Sequence, residues 1–380
     1  MSFDKLRDKV QQTAYRTWVA KGKLGTVVLS TGSGKMRIAL RAMHDAKPGS
    51  KILFLAEQTV RKVDLYAEIE EYNTLIDADI LEGKQLRFLT YQSAYKMRGQ
   101  YLDLVIADEI HSSLTPQYSK FYENNWWDNL MGLTATPELR KQVTHLLTKS
   151  ALYKKYAPIV YKYTINDAAL MGTSRKLHIY VLDYEVTPKE LATYTTLTAD
   201  LAKGIRRRES WRINKAMNAR TRFIYNLDSR QQLAKQALDI LEGKTLIFGN
   251  SLDRLRDLTS NVVSSKNHPY KNEMLRKEFD EGIIDTLASF KVLQQGANLG
   301  SFDNILLHSY YSDSGKLVQR LGRLRKQGEE KGYVAILRGS ATKEHDWFKK
   351  MVAILDPNIY DIKYPKSIED FIQTYQSDRS

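Results

Sequence analysis

The sequence contains no cysteine among its 380 residues. This absence excludes disulfide bonds, thiolate catalysis and zinc or iron–sulfur sites with cysteine ligands. No apolar run approaches the roughly 20 residues that cross a bilayer, and the residues that follow Met1 form no apolar signal core. We therefore expect a protein of a reducing cytoplasm that makes no contact with a membrane.

Acidic residues are too few to balance the basic ones. Lys and Arg number 58 against 44 Asp and Glu, which gives a formal net charge of +14. Such a surplus suits a polyanionic partner, because each cation set against a phosphate releases condensed counterions. A solubilising surface charge is the alternative interpretation. The fractions of hydrophobic (42%) and charged (27%) residues are typical of a globular chain rather than a disordered one.

Two series of short, apolar, β-branched runs alternate with helical patterns. This arrangement is typical of buried parallel strands in βαβ order. The first series comprises residues 26–29, 51–55, 87–90, 104–107 and 131–134. The second series comprises residues 245–248, 286–289, 304–308 and 333–337. We therefore predict an α/β fold with two parallel sheets in tandem.

The pattern changes between residues 159 and 240. An edge strand is predicted at residues 177–182, and a helical stretch rich in basic residues follows, with Trp211 inside it. Its basic residues are Lys203, Arg206, Arg207, Arg208, Arg212, Lys215, Arg220 and Arg222. The stretch is either a solvated helix face or a grip on a phosphate backbone. We take Arg206, Arg207 and Arg208 as its candidate nucleic-acid contacts.

A glycine turn with the composition of a phosphate-binding loop joins the first strand to a helix. Its residues are Thr31, Gly32, Ser33, Gly34 and Lys35. Glycines let backbone N–H groups surround a phosphate, the helix adds its positive N-terminal end, and the lysine supplies a mobile charge. The next residue, Met36, replaces the Ser or Thr whose hydroxyl usually ligates Mg²⁺.

A pair of carboxylates ends the predicted strand at residues 104–107. Asp108 and Glu109 would lie at the carboxyl edge of the sheet, where ligands of such folds bind. Asp108 suits Mg²⁺, and Glu109 suits orienting and deprotonating an attacking water. An acidic helix N-terminus is the alternative interpretation of the same pair.

The Gly-Lys of the turn, Asp-Glu-Ile-His at 108–111 and Leu-Thr-Ala-Thr-Pro at 133–137 together resemble the motifs of superfamily 2 helicases and translocases. The resemblance implies two RecA-like domains, ATP and Mg²⁺ as cofactors, and nucleic acid as the partner. It implies that Gln11 reads adenine and that His111, Thr134 and Thr136 couple the ATP state to the nucleic-acid cleft.

Residues 319–326 resemble motif VI of the same family. The resemblance implies catalytic support from Gln319 and Arg320, and it makes Arg323 an arginine finger that acts when the lobes close. Lys326 stands where a second arginine is usual.

Weaker similarities concern the nucleic-acid motifs. Gln58 falls in a motif Ia position, Thr90 and Gln92 in motif Ib, and Asn250 and Ser251 in motif IV. Motif V, at residues 291–298, departs from the family pattern at Gln295 and Asn298 and at Phe290, the residue just before it.

The form of the motifs favours DNA over RNA and resembles phage-encoded recombination and branch-migration helicases. We thus expect a motor on single-stranded, forked or branched DNA in a bacterial or phage-infected cell, with other replication or recombination proteins as further partners. An RNA helicase, a restriction-endonuclease motor and an ATP-gated clamp with little turnover stay open. The predicted domain bounds are 1–158, 159–240 (linker and insertion, grouped with the second lobe), 241–345, and 346–380 for a helical tail.

Overall fold

The computed structural model describes residues 3–139, 141–144, 147–290, 299, 301–322, 324 and 331–380. The chain divides into two units, Met1–Ser174 and Arg175–Ser380. Each unit is built around one sheet whose neighbouring strands all run parallel, with helices between successive strands. The predicted fold class, two α/β domains with parallel sheets, is confirmed.

The first unit contains a six-stranded sheet in the order β3-β2-β4-β5-β1-β6. Its strands are β1 (Leu24–Leu29), β2 (Lys51–Ala56), β3 (Gln85–Thr90), β4 (Tyr101–Asp108), β5 (Trp126–Thr134) and β6 (Ile159–Tyr163). Its helices are α1 (Phe3–Ala20), α2 (Lys35–His44), α3 (Arg61–Ile76), α4 (Tyr91–Ala94), α5 (Lys120–Asn124), α6 (Lys149–Tyr156) and α7 (Ile165–Leu170).

Both faces of this sheet are buried. Along β2, Ile52 and Phe54 belong to one apolar cluster, while Leu53 and Leu55 belong to another. Alternating side chains of a strand point to opposite faces, so a continuous apolar run is what two covered faces require. The neighbouring strands β4, β5 and β1 consequently deliver their carboxyl ends to one edge of a rigid sheet, and that edge holds the candidate site.

The second unit contains a seven-stranded sheet in the order β13-β7-β12-β11-β8-β10-β9. Its strands are β7 (Lys176–Tyr184), β8 (Thr245–Gly249), β9 (Val262–Ser264), β10 (Thr286–Phe290), β11 (Asn304–Leu307), β12 (Lys331–Gly339) and β13 (Asp361–Lys363). Its helices are α8 (Pro188–Arg207), α9 (Ser210–Tyr225), α10 (Asp228–Ile240), α11 (Leu252–Leu258), α12 (Pro269–Glu281), α13 (Ser314–Leu321), α14 (Glu344–Val352) and α15 (Ile368–Arg379).

The boundary between the units lies later than residue 158, where the sequence suggested it. Strand β6 pairs with β1 along Thr26–Leu29, and the first unit continues to Ser174. The reason is the pairing itself, because β6 completes the first sheet on the side opposite to β3. The basic helices α8 and α9 lie within the second unit.

The predicted edge strand is not at the edge of its sheet. Strand β13 pairs outside β7 at His178–Tyr180. The ammonium of Lys363 lies 3.2 Å from Asp361 and 2.6 Å from Asp378 of α15. The last 35 residues are therefore more than a helical tail, since they add a strand and a covering helix to the second sheet.

In the described part of the chain, no helix has both the length and the apolar character that a bilayer-spanning segment requires.

Candidate active site

The glycine turn lies between the end of β1 and the start of α2, as the sequence predicted. Gly32 and Gly34 have φ values of 84° and 77°, a left-handed conformation that favours glycine. A Cβ on Gly34 would come within 2.2 Å of Gln11 Nε2. Gln11 is buried and donates a hydrogen bond from that nitrogen to the carbonyl oxygen of Ser33 at 2.9 Å. The residue expected to read adenine thus packs against the turn.

Lys35 forms an ion pair with Glu109. Its Nζ lies 2.7 Å from Glu109 Oε1, and the two side chains are 15% and 18% exposed. Burial alone would raise the pKa of Glu109, but the ammonium of Lys35 and the neighbouring His111 outweigh burial and hold this pKa well below its usual range. Glu109 is therefore ionised at neutral pH, as a general base must be.

The other oxygen of Glu109 is held from β5. Thr134 Oγ1 donates to Glu109 Oε2 at 3.0 Å and lies 2.9 Å from Nδ1 of His111. The backbone N–H of Thr136 donates to the same hydroxyl at 3.1 Å. Because the one hydroxyl proton is given to Glu109, Nδ1 of His111 must carry the proton of the His111–Thr134 bond. The structure therefore connects all three predicted coupling residues to Glu109.

The backbone at Glu109 fixes this arrangement. Glu109 has φ 48° and ψ 50°, a left-handed conformation that is uncommon for a residue with a side chain. It follows the last residue of β4 and precedes a short turn, Ile110–Ser112. Backbone strain of this kind is often found at functional sites, and here it turns the carboxylate toward Lys35.

Asp108 is held by an arginine that the sequence did not identify. Arg61 is 9% exposed, and its Nε donates to Asp108 Oδ2 at 3.0 Å while Nη2 lies 2.7 Å from Glu68 Oε2. The other oxygen of Asp108 accepts from the backbone N–H of Glu109 at 3.1 Å. The sequence did contain a signal for this contact, because Arg61, Asp64 and Glu68 are spaced so that they fall on one face of helix α3.

These donors are compatible with Mg²⁺ next to the phosphate loop. Each oxygen of Asp108 accepts one hydrogen bond and keeps a second lone pair. Met36 packs against the first core and has no oxygen to offer. A hexacoordinate cation here would take Asp108 from the protein, and water and phosphate oxygens would supply most of its other ligands.

Lys149 is a second buried cation that the sequence did not identify. It is 4% exposed, and its Nζ donates to the backbone carbonyl oxygen of His111. Burial lowers the pKa of Lys149 to about 8. This contact ties the start of α6 to the turn that presents His111 and Glu109.

The nucleic-acid candidates of the first unit lie at the same carboxyl edge of the sheet. Gln58 follows β2, Thr90 ends β3 and Gln92 follows it, and these two strands are neighbours. Gln58 and Gln92 are exposed. Thr90 Oγ1 lies 3.2 Å from Ser93 Oγ. The structure thus brings these three residues to one accessible face.

The motif IV candidates of the second unit are engaged within the domain. Asn250 donates from its backbone N–H to Ser309 Oγ at 2.7 Å and from its amide to Ser309 O at 3.1 Å. Ser251 Oγ donates to Asn226 Oδ1 at 2.6 Å. Both side chains have intramolecular partners, so binding a strand would require exchanging these bonds.

The motif VI candidates lie on α13 and the residues after it. Gln319 and Arg320 are 8% and 4% exposed. The guanidinium of Arg320 lies over the ring of Phe248 at 5.1 Å, and burial lowers its pKa to about 10. Arg323 and Lys326 lie outside the described residues, as does motif V at 291–298 with Gln295 and Asn298. Phe290 is the last residue of β10.

A phosphate loop and two carboxylates meet at one edge of a parallel sheet, and a second parallel-sheet domain follows. This combination defines a nucleotide hydrolase of the helicase type.

Comparison with known proteins agrees with that class. Residues 5–139 match the family model described as "Type III restriction enzyme, res subunit". The DNA 3'-5' translocase XPB2 of Sulfurisphaera tokodaii is 25% identical over 400 aligned positions, which cover 90% of this chain and 85% of the relative.

Solved structures share the fold across almost the whole chain. The ATP-dependent Type ISP restriction-modification enzyme LlaBIII bound to DNA has a TM-score of 0.63 and 13% identity, with 97% of this chain covered but only 32% of that one. S. cerevisiae Dbp5 bound to RNA and ADP BeF3 has a TM-score of 0.61 and 10% identity, covering 98% of this chain and 93% of that one. The likeness to these solved structures confirms the predicted fold of two tandem RecA-like domains. The family model and the XPB2 relative agree with the resemblance to superfamily 2 helicases and translocases that the sequence motifs showed.

Proposed function

We propose that this protein is an ATP-driven motor that translocates on DNA and remodels forked or branched DNA. The observation that carries the proposal is the ion pair of Lys35 and Glu109, with Thr134 and His111 next to the second oxygen of the carboxylate. This arrangement joins a phosphate-binding group, a general base and a hydroxyl that senses the position of that base.

The chemistry follows from these contacts. Bound ATP supplies the phosphoryl group and, with Mg²⁺, the charge that the site must accommodate. Lys35 has to leave Glu109 in order to reach the phosphates. Glu109 Oε1 then becomes free to accept a proton from water, while Thr134 keeps Oε2 in place. Any displacement of Glu109 is passed to Thr134, and from there to His111 and Thr136.

DNA is the proposed track for two reasons. The net charge of +14 favours a polyanion, and the relative XPB2, aligned over nine tenths of the chain, is named a DNA translocase. Gln58, Thr90 and Gln92 would contact one strand on the first unit. Arg206, Arg207 and Arg208 would contact phosphates on the second.

A second candidate is the motor of a restriction system. The family model at residues 5–139 is that of a restriction subunit, and the LlaBIII chain is about three times as long as this one. Such a motor would run on duplex DNA and would need a nuclease supplied elsewhere. It would show little preference between a duplex and a fork.

The discriminating experiment measures phosphate release with single strands, duplexes, forks, four-way junctions and matched RNA. We expect stimulation by DNA, strongest with forks or junctions. Lys35→Ala should abolish the stimulated hydrolysis and leave much of the DNA binding. Lys21→Ala, which changes an exposed lysine in the turn after α1, should alter neither.

Three outcomes would contradict parts of the proposal. Stimulation by RNA alone would mean that the protein moves on RNA rather than DNA. Equal stimulation by duplexes and forks would favour the restriction motor. Nucleotide binding without any stimulated turnover would indicate an ATP-gated clamp. Met36 favours this alternative, because it replaces the hydroxyl residue that usually ligates Mg²⁺. The contribution of Arg323 stays a prediction from the resemblance, tested by loss of turnover with retained ATP binding in Arg323→Ala.

A further inference from the structure

The basic insertion is a helical hairpin with a tight tip. Helix α8 contains 20 residues, a length of about 30 Å at 1.5 Å per residue, and α9 returns after a turn of two residues. Arg208 takes the left-handed conformation at that turn, with φ 55°. A Cβ on Gly204 would lie 3.2 Å from Ile213 N, so the helices pack closely just below the tip.

Ion pairs stiffen the hairpin near the same end. Arg212 of α9 lies 2.6 Å from Asp200 of α8 and 3.6 Å from Glu209 of the turn. The only carboxylate of the turn is therefore already engaged with a cation. The pair of Arg212 with Asp200 joins the two helices close to the turn, which helps to hold the backbone of the tip in place.

The opposite end of the hairpin is anchored to the second unit. Glu190 accepts hydrogen bonds from the backbone N–H groups of Asp228 and Ser229 at 2.8 and 3.2 Å. Tyr194 OH accepts from the backbone N–H of Lys343 at 2.9 Å. The ring of Tyr225 packs against Trp347 with centroids 6.3 Å apart. A hairpin fixed at its base presents its tip as a rigid projection.

The tip combines large apolar side chains with free cations. Trp211 is 67% exposed and Ile205 is 56% exposed, on either side of the turn. Arg206, Arg207 and Arg208 are exposed, and within the described part of the chain their side chains have no ion pair. An exposed aromatic ring among unpaired arginines has the chemistry of a surface that stacks on bases and binds phosphates.

We propose that this tip, residues 205–211, binds the junction between single-stranded and double-stranded DNA. Trp211 stacks on the terminal base pair, and Arg206 to Arg208 bind the flanking phosphates. The tip then acts as the wedge that separates strands or discriminates forks. This inference rests on the proposed motor function and adds the substrate structure to it.

The chain offers a matched control for Trp211. Trp126, the first residue of β5 in the other unit, is 64% exposed and has no arginine cluster in sequence around it. We would compare Trp211→Ala, Trp211→Phe and Trp126→Ala by anisotropy on a fork and on its single strand. The fork would carry 2-aminopurine at the junction, so that stacking changes its fluorescence.

We expect Trp211→Ala to lower affinity for the fork relative to the single strand by about tenfold, the scale of one lost base–aromatic stack. The change in 2-aminopurine fluorescence should disappear in the same variant. Trp211→Phe should retain most of both signals, and Trp126→Ala should match the wild type. Replacing Arg206, Arg207 and Arg208 together by Ala should weaken the binding of both DNAs. It should also reduce the slope of log affinity against log salt concentration by about three.

Two results would overturn the inference. One is equal fork preference in Trp211→Ala and Trp126→Ala. The other is a change in sedimentation of Trp211→Ala without a change in fork binding, which would make the tip a protein contact. Failure of the motor proposal is separate, because it would appear as wild-type turnover that no DNA stimulates.

Discussion

Glu109→Gln tests the central contact of the site, because it keeps the shape of the side chain and removes its charge. A lost general base should reduce turnover at least about 100-fold. The ion pair with Lys35 at 2.7 Å has a gross attraction of about 6 kcal/mol at an effective dielectric constant of about 20. Desolvation offsets most of it. We therefore expect released Lys35 to tighten nucleotide binding by about fivefold, or about 1 kcal/mol.

Single-turnover phosphate release would measure the first effect, and equilibrium binding of a fluorescent nucleotide would measure the second. Glu123→Gln is the control, since Glu123 pairs with Lys155 at 3.2 Å on the surface of the same unit, where the two side chains are 43% and 62% exposed. Turnover that survives Glu109→Gln would refute the catalytic assignment. Weaker nucleotide binding in that variant would refute the idea that Glu109 and phosphate compete for Lys35.

Three further predictions follow from buried charges. Arg61→Gln frees Asp108, so Mg²⁺ with ADP should raise the melting temperature more in the variant than in the wild type; a smaller rise would mean that Arg61 and the metal do not compete. Burial lowers the pKa of Lys149 to about 8 from 10.5, so the unfolded chain binds more protons between these pH values and stability rises with pH there. Urea unfolding would measure how much more stable Lys149→Met is than the wild type. This difference in the free energy of unfolding should be larger at pH 7 than near pH 10.5, by about 2 kcal/mol once solvent screening is allowed for. A difference that does not change with pH would contradict this. Glu344→Gln breaks a fully buried ion pair with Arg230. The loss should lower the free energy of unfolding by about 3 kcal/mol and the melting temperature of the second unit by about 6–12 °C. Asp346→Asn, which changes an exposed pair with Lys343, should leave that melting temperature unchanged.

The sequence was sufficient for the parts of the site that consecutive residues build. A glycine turn between a buried strand and a helix admits few geometries, so the position of Lys35 follows from its immediate neighbours in the chain. Glu109 directly follows strand β4 and Thr134 ends strand β5, and these two strands proved to be neighbours. Parallel strands share a carboxyl edge, which is where the sequence placed Asp108 and Glu109. The coupling role of Thr134 came from the family resemblance and not from the strand pattern.

What the sequence did not reveal are contacts that depend on packing between distant segments. Strand β6 is short and only partly buried, so its pattern did not distinguish it from a linker, and its place was decided by pairing with β1. Strand β13 has three residues, too few for any periodicity to be read. Both strands are defined by their neighbours rather than by their own composition.

The two unpredicted cations, Arg61 and Lys149, show why electrostatics of the site was the hardest part to infer. In a chain with 58 basic residues, any single arginine or lysine most often lies in solvent, and composition gives no reason to select one. Burial is what makes these two significant, since a buried charge is retained only where a partner compensates it. For Arg61 the partners are carboxylates on α3 and at the end of β4, and for Lys149 the partner is a carbonyl of the turn after β4. Both cations therefore act on one short segment, residues 108–111, and the position of that segment decides whether Glu109 faces Lys35 or turns away from it.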